Sequence, residues 1–197
     1  MKTLIAAIFL CISVFAHSEG LIRLDEPKSN EAVPAGQAVF YGNFIQRLGF
    51  KSGGYPQDIR IVNIDTHATY TFRVKSTFKA AKENLFCYIL EPGTYAIVNY
   101  WWTKSTWYGG KSYVEPILKG IEVNEKLEER VKSGELKEED FEMFSFTITP
   151  NSVNYLGTWN FAKSPVSFSD EKASLDEKMQ DKYKGLDFRN AKTVLPE

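Results

Sequence analysis

Seven short apolar segments, separated by turn residues and never alternating with helices in a β-α-β rhythm, constrain this chain most. Residues 37–45 (Gln37 to Ile45) are rich in Val, Phe, Tyr and Ile. Asp58-Ile59-Arg60-Ile61-Val62-Asn63-Ile64 begins with alternation, and Tyr70-Thr71-Phe72-Arg73-Val74-Lys75 alternates cleanly, apolar against polar. Period-2 alternation is the mark of a strand with one face buried. Phe86 to Leu90 and Tyr95 to Trp102 flank Glu91-Pro92-Gly93-Thr94. Proline pre-sets the first turn position and glycine supplies the positive φ of a type II turn, so this pair reads as a hairpin. Phe144 to Ile148 and Val153 to Phe161 flank Thr149-Pro150-Asn151-Ser152 and read as a second hairpin. Phe144, Phe146 and Ile148 are expected to face the core with Val153, Tyr155, Trp159 and Phe161. Gly157 falls on that same face and marks a bulge or close packing. Many short strands with turns at short intervals argue for an all-β, antiparallel β-sandwich.

Two segments depart from the strand pattern. Residues 119–141 are crowded with charge, and Val123, Leu127 and Val131 recur at helical spacing. They read as a surface helical insertion whose charges form a solvated face. Over 170–185, Asp170 can cap an amphipathic helix with Leu175, Met179, Tyr183 and Leu186 as its stripe and Gly185 as its end.

Residues 1–18 read as a secretory signal peptide: Lys2, then an apolar run from Leu4 to Ala16, then cut sites after Ala16 or Ser18. The run is shorter than a comfortable ~20-residue span. Cys11 follows Ile8-Phe9-Leu10, not the small residues that lipid attachment needs. The expectation is an exported protein, periplasmic or at the cell surface, with no transmembrane segment once the signal is removed. Residues 19–197 suit a single domain.

Composition narrows the function classes. Loss of Lys2 leaves 23 basic against 25 acidic side chains. That balance gives no electrostatic case for nucleic acid. Cys87 is then alone, which excludes an intrachain disulfide. No Asn-x-Ser/Thr sequence occurs, which favours a bacterial source.

The pairing of Leu90-Glu91-Pro92-Gly93-Thr94-Tyr95 with a later Tyr155-Leu156-Gly157, and an acidic helix after the last strand, resembles a group of uncharacterised bacterial proteins. These are secreted and envelope β-sandwich proteins and lipoproteins of a "PPG-x-Y … YLG" type, some grouped with transthyretin-like or carboxypeptidase-regulatory-like sandwiches. The similarity covers roughly residues 36–195, less the charged insertion. It implies a sandwich and an envelope location, and no catalytic residues. The chain departs from the pattern in lacking a lipid-attachment cysteine and in its long insertion.

Histidine is nearly absent, His17 lying at the cut site and His67 in a polar turn. No HExxH or Gly-x-Ser-x-Gly arrangement exists. A Cys87–His67 thiol dyad is conceivable, but Cys87 sits mid-strand between Phe86 and Tyr88, where cysteine behaves as a small hydrophobe. Gly53-Gly54 and Gly109-Gly110 are turns, and the carboxylates of 122–140 lack the burial that tunes a pKa. No catalytic residue, cofactor or metal is expected.

Residues 100–113 hold three of the four tryptophans. Trp101 and Trp102 must point to opposite faces of a strand, so one leaves the main core. Trp102, Trp107, Tyr108 and Tyr113 are the candidate ligand- or partner-binding residues. The expected function is a non-enzymatic envelope protein with a partner-binding or structural role. A carbohydrate-binding module using the aromatic loop 100–113, binding an envelope glycan, is the first alternative; a hydrolase of unfamiliar design is the second.

Overall fold

The computed structural model describes residues 20–46, 55–76, 83–106, 109–123 and 126–197. Residues 1–18, read above as a signal peptide, lie outside them. The described residues form an all-β fold of two sheets. Sheet A runs β1 (Leu21–Arg23), β4 (Thr69–Lys75), β3 (Gln57–Asn63), β6 (Gly93–Thr106), β7 (Gly109–Pro116), with β8 (Ser145–Ile148) paired to the start of β6. Sheet B runs β10 (Ser167–Ser169), β9 (Val153–Asn160), β2 (Ala38–Ile45), β5 (Glu83–Leu90), with β11 (Lys192–Thr193) beside β9. A core rich in aromatic rings joins the sheets. Phe72 packs 5.2 Å from Phe40 and 5.9 Å from Trp159, and Phe86 lies 5.4 Å from Trp159.

Sheet B is buried on both faces. Its inner face meets sheet A. Its outer face places Val39, Tyr41, Cys87, Val153 and Tyr155 against Leu175, Met179, Tyr183, Leu186 and Phe188. The layers are therefore sheet, sheet and C-terminal helix. Double burial explains why residues 37–45 read as a continuous apolar run rather than an alternating one.

The fold corrects several expectations. The sheets are mixed, not antiparallel: β1 is parallel to β4, and β9 is parallel to both β2 and β11. Neither expected hairpin pairs with itself. β5 lies in sheet B and β6 in sheet A; β8 lies in sheet A and β9 in sheet B. Both Pro-containing turns are corners between sheets. Gly93 has the expected positive φ, at +156°, though outside the type II range, and an added Cβ would also stand 2.6 Å from Nδ2 of Asn63.

Among the described residues of 119–141 the helical structure is limited to α1 (Leu127–Lys132) and a 3-10 turn at Glu138–Asp140, and α1 buries no residue. The C-terminal helix α2 spans Lys172–Lys182; its N-cap is Glu171, not Asp170 as expected, and Asp170, one residue earlier, accepts a hydrogen bond at Oδ1 from the Lys172 amide at 3.0 Å. Tyr183 and Leu186 follow the helix yet complete its buried stripe. Gly185 is not the helix end. Its amide donates to Ser29 O at 3.0 Å, and a Cβ there would meet Glu31 O at 2.5 Å.

Gly157 is the bulge. It sits at φ +93° opposite Gly42, where the β2–β9 register shifts. An extra residue reverses strand parity. Before it, Val153 and Tyr155 face α2, contrary to expectation; after it, Trp159 and Phe161 face the core between the sheets.

Candidate functional site

A second bulge decides the two adjacent tryptophans. The β3–β6 register places Ile61 opposite Ile97 and Arg60 opposite Asn99, so Val98 is the extra residue. Tyr95 and Ile97 point inward before it, and Tyr100 and Trp102 point inward after it. Trp101 is thereby delivered to the outer face of sheet A.

Trp102 packs inward. Its ring lies 5.0 Å from Tyr100 and stacks on Tyr113, its cross-strand partner, at 5.2 Å and 9°. The Lys111 ammonium sits 5.2 Å from the Tyr113 ring. These faces are spent on one another, and the ladder stiffens the ribbon formed where β6 and β7 run on past β3. Trp107 and Tyr108 lie outside the described residues.

The outer face of sheet A carries the features that sequence reasoning missed. Cross-strand register aligns Val114, Trp101, Asp58 and Arg73 in one row. The next row holds Asn99, Arg60, Thr71 and Arg23. Four strands at ~4.8 Å spacing make a strip about 14 Å across. The Arg60 guanidinium lies 5.1 Å from the Trp101 ring centroid. Arg73 grips Asp58 in a bidentate pair, Nε to Oδ1 at 3.1 Å and Nη2 to Oδ2 at 3.2 Å. Burial raises the Asp58 pKa although Arg73 opposes it, and burial lowers that of Arg60.

Two polar atoms of this face are unspent. Trp101 Nε1 and Asn99 Oδ1 are shut from solvent with no hydrogen-bond partner among the described residues. Each leaves a desolvation cost of about 1–3 kcal/mol unrelieved. A ligand or ordered water supplying one acceptor and one donor would relieve both. The alternation of Asp58-Ile59-Arg60 and Tyr70 to Lys75 was the available signal. The missing knowledge was the Val98 bulge, which selects Trp101 over Trp102.

The other candidate chemistry does not assemble. Cys87 lies in the core beneath α2, where burial pushes its thiol far up. His67 sits exposed at φ 60° in the turn between β3 and β4, so the two do not form a dyad. Among the described residues, no cluster of His, Cys, Asp and Glu is arranged to hold a metal ion. Among the same residues, no helix is long and apolar enough to cross a membrane.

No family model and no curated protein matches the chain. Among solved structures, a leucine-rich repeat protein from Bacteroides thetaiotaomicron is similar at 15% identity and a TM-score of 0.33. The match covers 81% of this chain and 17% of that one. This chain thus spans a small part of that protein's length. A likeness at that TM-score carries no argument about fold or function.

Proposed function

We propose that this chain is an exported, non-enzymatic binding protein of the bacterial envelope, which holds its partner on the outer face of sheet A. The observation that supports this is the pair of unspent polar atoms, Trp101 Nε1 and Asn99 Oδ1, beside an arginine-backed indole. Aromatic and arginine side chains at a flat surface are the usual anchors of recognition. The charge-then-apolar order of residues 2–16 supports export.

A carbohydrate partner is the second reading, and Trp101 favours it. Indole faces stack on sugar rings, and a fixed Asp58–Arg73 pair presents acceptors and donors suited to neighbouring hydroxyls. The test is a glycan array run beside capture from envelope extract, with wild-type protein and Trp101→Ala. Defined glycan hits lost in Trp101→Ala support the carbohydrate reading. A single protein captured by wild type and lost in Trp101→Ala supports the protein-partner reading. Turnover of a substrate panel, or binding untouched by Trp101→Ala, would overturn the proposal.

A further inference from the structure

Where sheet A's outer face ends at Arg23 and Arg73, the side of the sandwich has a feature that this reading does not use. β5 is the edge strand of sheet B. Among the described residues, its one outward backbone bond along that edge is Ile89 N to Asp25 O at 2.9 Å, formed as the chain crosses from β1 toward sheet B. The preceding residue, Leu24, bonds instead to Thr71 O at 3.0 Å, so this short segment ties both sheets together. Amide direction alternates along a strand. The amides of Leu85 and Cys87 therefore point the same way as that of Ile89, away from β2. There the Asp25 segment ends, and a cleft of about 470 Å³ begins.

Natural edge strands are usually blunted by charge, proline or a covering segment. The stretch Leu85-Phe86-Cys87-Tyr88 holds no charge and no proline, and Leu85 is exposed. The cleft walls carry three cations, Arg23, Arg73 and Lys182, against one carboxylate, Glu26. Arg73 is committed to Asp58, and Lys182 lies 3.6 Å from Glu26. Arg23 is exposed and makes no salt bridge among the described residues.

We infer that this cleft is a strand-addition site, in which an extended acidic peptide segment of a partner continues sheet B beyond Leu85 and Cys87 and places a carboxylate on Arg23. Backbone bonding supplies affinity and the basic wall selects the charge. Asp25 already makes the first such bond and shows the line that the added strand extends.

The probes are synthetic peptides about as long as β5, one alternating Val with Glu and one alternating Val with Lys, read by fluorescence anisotropy and by hydrogen exchange. The Glu peptide should bind at least about tenfold more tightly than the Lys peptide. It should slow exchange at the Leu85 and Cys87 amides. Leu85→Pro removes the outward N–H at an edge position that tolerates proline. That variant should keep the wild-type melting temperature and lose the Glu peptide. Arg23→Glu tests the charge separately and should reverse the preference, whether or not Leu85→Pro folds. Equal binding of both peptides, no binding of either, or undiminished binding to folded Leu85→Pro would overturn the inference. Protection of the same amides by self-association without peptide would also overturn it, with a second copy as occupant. Arg23 belongs to both faces, whereas Leu85 lies on sheet B alone, so peptide loss in Leu85→Pro with partner binding intact, or partner loss in Trp101→Ala with peptide binding intact, tells the two sites apart.

Discussion

Gly42→Ala tests the packing of β2 between β5 and β9, on which sheet B depends. An added Cβ would stand 2.5 Å from Cζ of Phe86 and 2.6 Å from the carbonyl oxygen of Gly157. Relief to ordinary contact requires about 0.9 Å of movement from the ring and about 0.8 Å from the β9 backbone. Neither has room. Phe86 is held 5.6 Å from Phe72 and 5.4 Å from Trp159, and the Gly157 carbonyl belongs to the bulge. Overpacking of this kind costs about 1–3 kcal/mol. The loss of unfolded-chain entropy on replacing glycine returns about 0.4–1 kcal/mol. A net loss of about 1.3 kcal/mol is expected, or a melting temperature lower by about 3–5 °C for a domain of this size. Urea melts followed by tryptophan fluorescence measure it. Phe86→Leu withdraws the ring tip, so the double variant should be less destabilised than the sum of the singles by at least about 0.5 kcal/mol. A neutral Gly42→Ala, or strict additivity, would refute the placement of β2 between those strands.

Phe146→Ala should cost about 3–5 kcal/mol, because Phe146 is buried and stacks 5.8 Å from Tyr95. Thr147→Ala, on the exposed side, should cost about 0.5 kcal/mol in the same urea melts. Deleting 122–138 with a Gly/Ser bridge should leave the β-type circular dichroism spectrum intact, since α1 buries nothing. Lys75 is buried with its ammonium on Tyr55 O at 3.1 Å, and burial lowers its pKa from the ordinary 10.5. Its folded state therefore holds the proton less tightly than its unfolded state, and its contribution to stability rises as pH climbs from the folded pKa toward 10.5. Lys75→Met should be more stable than wild type at pH 7 in urea melts, and the difference should shrink toward pH 10. A gap that widens with pH would contradict the burial argument.

Strand positions were legible in the sequence because alternation and turn chemistry are local. Residues 70–75 lie within β4, and the Phe146/Ile148 face is buried as the pattern implied. Partner choice was not legible. Pro92-Gly93 and Pro150-Asn151 state that the chain turns, and nothing local states whether it returns to its own sheet or crosses to the other. Parity was lost at Val98 and Gly157, where one extra residue flips every later side chain. That single ambiguity moved Tyr155 from the inter-sheet core to the helix side. It also left open which of Trp101 and Trp102 faces outward, and the candidate chosen, Trp102, is the inward one. Of the four candidate residues, Trp102 and Tyr113 are brought together as a stacked pair beside the start of β3.

The most direct test of the account follows the indole N–H of Trp101 by nuclear magnetic resonance. The four tryptophans give four indole signals, assigned by single Trp→Phe variants. The protein is titrated with the glycan or protein that the array or the envelope extract returns. The account predicts that the Trp101 signal shifts as its unspent donor gains an acceptor, while Trp159, bonded to Leu156 O at 2.8 Å, stays fixed. Saturable binding that leaves Trp101 unmoved would place the ligand elsewhere and contradict the assignment of this face.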